Sequence, residues 1–307
     1  MQPLVTIAIP AYKGKYLEQS IRSALAQTYS NVEVLVVDDC SPNDLKAVVE
    51  RFDDPRLRYI RNEQNVGKHD PSQNWNRCLN MAQGEWFCLL CDDDLYAPTF
   101  VEKLLDLSNL HSQCDVLRSG VRVTDGEGKE TSRYPQSPEY ETLEQYLWDF
   151  FHSRRRQTIS EFMLRRSRML EEGGYANMPY AWGSDNLSIF RFALQGGIAS
   201  IQECLVTFRD SGENISSDQQ HMNEKLEAFR RYIQETKQLI EQQHFRSDLL
   251  PVVNQYYHRA CAAHLREADR QAFRHICSHR KSLDIPLRIV LRASLKRFLT
   301  QVGRCRH

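Results

Sequence analysis

Two short, mostly apolar runs constrain this chain more than anything else in it. VEVLVV at 32–37 runs into Asp38 and Asp39, and WFCLLC at 86–91 runs into Asp92, Asp93 and Asp94. Runs this short, bounded by polar residues, predict strands buried on both faces. A parallel sheet covered by helices buries strands that way. Ligands bind beyond the carboxyl ends of strands in such sheets. The acids stand at those ends.

The neighbouring pattern agrees. Leu4 to Ile9 reads as a strand ended by Pro10, and LRYI at 57–60 as another. Apolar residues at helical spacing follow: Leu17, Ile21, Ala24 and Leu25, then Leu45, Val48, Val49 and Phe52, then Trp75, Leu79 and Ala82. Pro98 opens a further helix carrying Phe100, Val101, Leu104, Leu105 and Leu107. Strands alternating with helices predict an α/β fold with a mostly parallel central sheet flanked by helices.

From Asp115 the pattern changes. VLRSGVRV at 116–123 alternates and meets the turn-rich DGEG at 125–128, so an antiparallel strand or hairpin is expected. SEFMLRR (160–166) and IASIQECLVTF (198–208) read as strands, with a helix over DNLSIFRFAL (185–194) between them. After Asp218 the spacing is helical. The organisation expected is a domain over 1–217, made of a nucleotide-binding half (1–114) and an acceptor half (115–217). A helical C-terminal extension covers 218–307.

Formal net charge is +0, which argues against a generic nucleic-acid binder. The charge is unevenly placed: residues 250–307 carry 12 Lys+Arg against 3 Asp+Glu. Nine cysteines, an odd number without a disulfide-like framework, predict a reducing cytoplasm. The Cys88/Cys91 spacing lacks a second Cys/His pair, so zinc is not expected. No signal peptide and no membrane-spanning run is read.

Three adjacent acids repel one another, and a divalent cation relieves the repulsion. Oxygen ligands suit Mg²⁺ or Mn²⁺, and such an ion neutralises a diphosphate leaving group. Acid runs also occur on solvated loops. The position after WFCLLC favours the site. There is no G-x-G-x-x-G and no G-K-[ST] loop. Lys13 and Lys15 lie where a phosphate contact would fall, without either motif's spacing.

VTIAIPAYK (5–13), VVDDCSPND (36–44), NVGK (65–68), AQGEWFCLLCDDDLYAP (82–98) and GSDNLSIFR (183–191) resemble, in order and spacing, the family 2 glycosyltransferases of the GT-A fold. The resemblance covers roughly 4–217. It implies an inverting, metal-dependent transfer of sugar from a nucleoside diphosphate, with a preference for uridine, to a glycan or lipid-linked saccharide in cell-surface polysaccharide synthesis. It places Pro10, Ala11 and Tyr12 at the nucleoside, Asp39 at the base with Asp38 supporting its loop, and Asn65, Gly67 and Lys68 along base and ribose. Asp92 and Asp93 would face the sugar nucleotide, Asp94 would hold the metal, and Asp185 would be the general base.

Read from the residues alone, Asp185 could instead be a plain helix cap. Gly183 and Ser184 before it and apolar helical spacing after it put it at a helix start either way. The chain departs from the family at Cys40, where many members carry Gly. It departs again at Ser211, which fills the His position of R-x-H-x-x-N-x-S, here Arg209 to Ser216. His221 is a candidate substitute. Arg209 is read as a phosphate contact or a structural ion pair, and Trp182 as a surface for an acceptor sugar.

In the tail, Ile285, Ile289, Leu295 and Leu299 fall near one side, with Arg288, Arg292, Lys296 and Arg297 mainly elsewhere. This predicts peripheral contact with the inner face of the plasma membrane through 280–307, or a helix packed on the domain. Two rivals remain at this stage, a non-catalytic sugar-nucleotide-binding module and a nucleotidyltransferase. PAYKGKY lacks the Gly-rich, basic loop of the latter.

Overall fold

The computed structural model describes residues 2–212, 221–267 and 270–304. The chain divides into two compact units, Met1–Asn214 and Ile215–His307.

The first unit is built on one sheet. β1 (Val5–Ala11) lies between β2 (Val32–Asp38) and β4 (Trp86–Leu89), and β3 (Leu57–Arg61) pairs with β2. All of these pairings are parallel. The sequence explains why. Val5, Ile7 and Ile9 pack in one cluster with Leu17, Ile21 and Ala24 of α1 (Leu17–Leu25) and with residues of α4 (Phe100–Leu110). α3 (Ser72–Met81) packs against β1 and β2 with its own buried residues Cys78 and Leu79. Alternate residues therefore find a helix on each face. Pro10 sits past the last rung between β1 and β4, Ala8 opposite Leu89, where its missing N–H breaks no ladder on that side.

Beyond β4 the sheet turns mixed. The order is β3-β2-β1-β4-β9-β6-β10-β5, with β9 (Phe162–Arg165) antiparallel to β4 and β6, and β6 (Val116–Asp125) parallel to β10 (Ile198–Asp210). β7 (Glu130–Arg133) completes the expected hairpin with β6. Two-residue strands β5 (Leu95–Tyr96) and β8 (Tyr140–Glu141) pair with β10. α5 (Leu143–Phe151) follows β8 behind a capping box of Thr142 and Gln145. α7 (Ser184–Phe192) precedes β10.

The second unit is helical: α8 (Met222–Gln242), α9 (Leu249–Glu267), α10 (Arg270–Ser278) and α11 (Leu287–Arg304). Phe229 of α8 meets Tyr257 of α9, with ring centroids 5.3 Å apart. Pro251 falls in the first turn of α9, where backbone N–H groups lack intrahelical partners. Pro286 precedes α11. The apolar side read for the tail is split between packing and exposure. Ile285 is buried and Ile289 half-buried, while Leu287, Leu291 and Leu295 are exposed. The side chains of Lys296, Arg297 and Leu299 lie outside the described residues. No described helix is long and apolar enough to cross a membrane.

Candidate active site

The acids after β2 are fully engaged by the protein. Asp38, with no exposed surface, accepts from the Ser41 amide at 2.7 Å, from the Tyr59 hydroxyl at 2.6 Å and from Arg61. Asp39 accepts from Asn62 at 2.8 Å and from the amides of Val66 and Gly67 at 2.9 and 2.7 Å. Asp39 thereby folds the loop carrying Asn65, Gly67 and Lys68 back over the end of the sheet. Only glycine allows this approach, because a Cβ at 67 would stand 2.7 Å from the Asp39 carboxylate. Cys40, read as a departure from the Gly of many family members, has φ +54°, so that departure falls on a left-handed residue.

On the same loop the buried Oδ1 of Asn65 has no hydrogen-bond partner among the described residues. Lys68 is exposed. Pro10 is half-buried and Ala11 buried, so Ala11 can offer only backbone. The Tyr12 ring is 43% exposed beside them.

The acids after β4 are arranged differently. Asp92 accepts from the amides of Tyr12 and Lys13 at 2.9 and 2.8 Å, tying the end of β1 to the end of β4. Burial pushes the Asp92 carboxyl up to about 6. Asp94 has no exposed surface. It accepts from the Ser160 hydroxyl at 2.6 Å and from the Arg209 amide at 3.0 Å. Burial first, and the charge of Asp93 second, raise its carboxyl well above the usual range. Cys91, Asp93 and Asp94 bring one ligand atom each within 4.8 Å of one another.

These donors fit a hard cation. Burial, with the nearby aspartates behind it, raises the Cys91 thiol, so the carboxylates are the charged ligands. A bound cation would stabilise the crowded negative charge. Asp93 joins Asp94 in this cluster, whereas Asp92 faces the Tyr12 and Lys13 amides.

Asp185 lies in the first turn of α7, two residues after the N-cap Gly183, whose φ is +84°. It is therefore not the cap itself. Tyr180 and Ala181 just before it also hold positive φ. Three left-handed residues in four form the sharp approach that aims the first turn of α7. Burial pushes the Asp185 carboxyl up to about 6, opposed by the amides of Asn186 and Asp185 and by the Gln157 side chain. The Gln157 amide nitrogen is buried without a hydrogen-bond partner among the described residues, and its side chain favours the charged form of Asp185. Its oxygen accepts from the Tyr146 hydroxyl at 2.6 Å.

One segment joins the two centres. Gln157 faces Asp185, and Ser160, three residues on, holds Asp94. Ser160 also accepts from the Cys91 amide at 3.2 Å, which fixes the direction of its hydroxyl. A second link runs from the Tyr180 amide to the His69 carbonyl at 2.6 Å, tying the approach to α7 to the Lys68 loop. Asp185 thus faces the same end of the sheet as Asp94. Tyr134, whose phenol is raised by burial and then by nearby charge, feels Glu161, Asp94 and Asp185 together. It lines a cavity of about 480 Å³ between β6, β7 and β10.

Arg209, read as a phosphate contact or a structural ion pair, makes contacts that hold the protein itself. Its guanidinium donates to the carbonyls of Asp93 and Gly126 and to Gln19, and it stacks 4.3 Å over the Tyr16 ring. It clamps the turn that carries Asp93 and Asp94. Asn214 and Ser216 of the same motif lie outside the described residues. His221 belongs to the second unit and lies 3.7 Å from Glu224. Trp182 is half-buried between the Pro179–Ala181 turn and Gly183. Sequence reasoning missed Gln157, Ser160 and Tyr134. The Thr158–Glu161 capping box, T-x-x-E, was the available signal for the turn that places the first two.

A mixed, mostly parallel sheet flanked by helices, with acids at the ends of its parallel strands, is the layout of a GT-A-type protein. The match to a family model goes further. Glycosyl transferase family 2 matches residues 6–173, more than half of the chain, and the chain belongs to that family. TarS of S. aureus, in a crystal structure with UDP-GlcNAc, superposes with a TM-score of 0.64 at 18% identity, covering 87% of this chain and 74% of that one. TuaG of Bacillus subtilis (strain 168), a glycosyltransferase named for teichuronic acid biosynthesis, is 25% identical over 71% of this chain and 83% of its own length. WcaA of Escherichia coli (strain K12), named for colanic acid biosynthesis, is 37% identical over 31% of this chain and 34% of its own. An uncharacterized glycosyltransferase of Rickettsia bellii is 36% identical over 131 residues, and this chain spans 18% of its length.

Proposed function

We propose that this chain is an inverting glycosyltransferase that moves a sugar from a UDP-sugar to a hydroxyl of a glycan or lipid-linked saccharide in cell-surface polysaccharide synthesis. The observation that carries the reading is the Gln157–Ser160 segment, whose Ser160 hydroxyl donates to Asp94 while the Gln157 side chain lowers the Asp185 carboxyl electrostatically. The names of TuaG and WcaA and the UDP-GlcNAc bound to TarS support the substrate class. The catalytic domain is 1–217, with the nucleotide in 1–114 and the acceptor in 115–217, and 218–307 is a helical extension.

The Tyr12 ring stacks on the base. Asn65 and Lys68 line the base and ribose side, Lys68 from an exposed position. Asp39 shapes that side by holding the amides of Val66 and Gly67. The acceptor enters beside Tyr134 and Trp182. Asp185 takes the proton of the acceptor hydroxyl as that oxygen attacks the anomeric carbon. The bond from that carbon to the diphosphate breaks on the opposite face, and its electron pair leaves with the diphosphate. Mg²⁺ or Mn²⁺ held by Asp94 and Asp93 would supply positive charge to the departing group.

The test is a screen of UDP-sugars for thermal stabilisation with and without EDTA, followed by an assay of UDP release. A true donor stabilises by mass action, by about 2.7 kcal/mol at a hundredfold excess over Kd. Metal-dependent stabilisation by one UDP-sugar, with UDP released when acceptor is added, is the expected result. Binding without release under any acceptor would leave a sugar-nucleotide-binding module and end the catalytic reading.

A further inference from the structure

We infer that one face of the helical unit, the leucine row of α11 with the arginine groove beside it, docks on an anionic lipid surface. This surface is independent of the catalytic reading. Leu287, Leu291 and Leu295 are 50%, 59% and 61% exposed. At spacing i, i+4, i+8 they form one straight row on the helix. The opposite side of α11 is already satisfied, with Val290 and Ala293 buried. The row is thus not the packing face of the helix. It is a second apolar stripe left in water.

One position along from each of the first two leucines stand Arg288 and Arg292, both exposed. They line a groove of about 620 Å³ with Arg259, Arg266 and His258 of α9, and among the described residues no Asp or Glu lines it. Pro251, Ile289 and Ala293 form part of its wall. Four guanidinium groups around one groove suit phosphate oxygens, which arginine meets in bidentate fashion. An apolar row beside a cationic row is what an interfacial helix needs. The leucines enter the boundary below the headgroups while the arginines stay at phosphate level. Charge complementarity decides among occupants. The 250–307 segment carries 12 Lys+Arg and 3 Asp+Glu, and an anionic bilayer offers phosphates and an apolar layer at matching depths.

The test uses the full chain and three proteins: wild type, Arg288→Gln/Arg292→Gln, and Leu287→Ser/Leu291→Ser/Leu295→Ser. All five positions are exposed, so circular dichroism melts should coincide and serve as the folding control. Each protein is pelleted with phosphatidylcholine vesicles and with vesicles containing 30% phosphatidylglycerol. Wild type should bind the anionic vesicles about tenfold or more above the neutral ones, and less so as salt rises. An arginine at an anionic surface is worth about fivefold in partitioning, so the arginine variant should lose roughly 25-fold on anionic vesicles. The leucine variant should bind neither kind.

Equal pelleting of all three proteins, or none by wild type, would overturn the assignment. So would a dimer that the leucine variant dissociates while wild type ignores vesicles, which would give the face to a second copy. Inorganic phosphate binding that needs the two arginines, with vesicle binding unchanged in their variant, would make the groove a soluble-anion site instead.

Discussion

The two acidic strand ends carry the same residue type and do opposite things. After β2, Asp38 and Asp39 are surrounded by donors: an amide, a hydroxyl and a guanidinium on one, a side-chain amide and two backbone amides on the other. After β4, three acids crowd one another, and Asp94 is buried with one hydroxyl and one amide as donors. The first end holds loops in place. The second crowds buried carboxylates together, and the charge of Asp93 adds to burial in raising the Asp94 carboxyl. Burial raises the cost of crowded carboxylates and a divalent cation would lower it, which is why the second end is the one proposed for the chemistry. The lesson is that the donors around an acid, more than the acid itself, distinguish scaffold from site.

The contrast breaks most visibly at Asp94. Asp94→Asn should cut metal-dependent turnover about a thousandfold, yet leave the fold as stable as wild type or more so, because it removes repulsion with Asp93. Steady-state UDP release and a thermal melt in EDTA measure both. A marked loss of stability would put Asp94 with the scaffold acids.

Asp39→Ala should behave the other way. It strands the amides of Val66 and Gly67 and costs about 2–4 kcal/mol of stability. Urea denaturation reads the cost, and amide exchange should speed up selectively at 66 and 67. Unchanged stability would mean the loop holds itself.

Asp185 sharpens the comparison through pH. Its carboxyl is pushed up to about 6 by burial, so kcat/KM should fall about tenfold per pH unit below 6, where the base is protonated. The same shift works against stability. An acid with a raised folded pKa binds its proton more tightly in the folded state. Stability is therefore highest below the unfolded value near 4 and declines as pH rises toward 6, by at most about 3 kcal/mol. Asp185→Asn should flatten that decline in a pH series of denaturation curves.

The smallest effect is expected at Cys40. Its φ of +54° costs a side-chain residue about 1 kcal/mol that glycine avoids. Cys40→Gly should recover much of that, less the entropy glycine loses on folding. A melt shift of a few degrees upward would place the strain there, and a downward shift would show the thiol contributing more than the strain removes.

Much of this was legible in the sequence, and the reasons differ by region. β1, β2 and β4 were readable because burial on both faces writes a continuous apolar run. β5 and β8 were not, because two residues have no periodicity. α5 hides in LEQYLWDFF, where apolar residues crowd the pattern, although T-x-x-Q before it announces a cap. The acids of the site were readable at strand ends. Their supports were not: Ser160 reaches Asp94 from 66 positions away, and Arg209 from 115. Which apolar residues of the tail pack and which stay exposed was not readable, because hydrophobicity alone does not separate the packed Ile285 and Ile289 from the exposed Leu295.

The sharpest single measurement is a pair of titrations with a UDP-sugar and Mg²⁺ or Mn²⁺, into Asp185→Asn and into Asp94→Ala, alongside turnover of each. The account predicts that Asp185→Asn binds donor as wild type does while turnover drops by two to four decades, and that Asp94→Ala loses the metal-dependent part of binding. Full turnover in Asp185→Asn, or unchanged metal-dependent binding in Asp94→Ala, would contradict it.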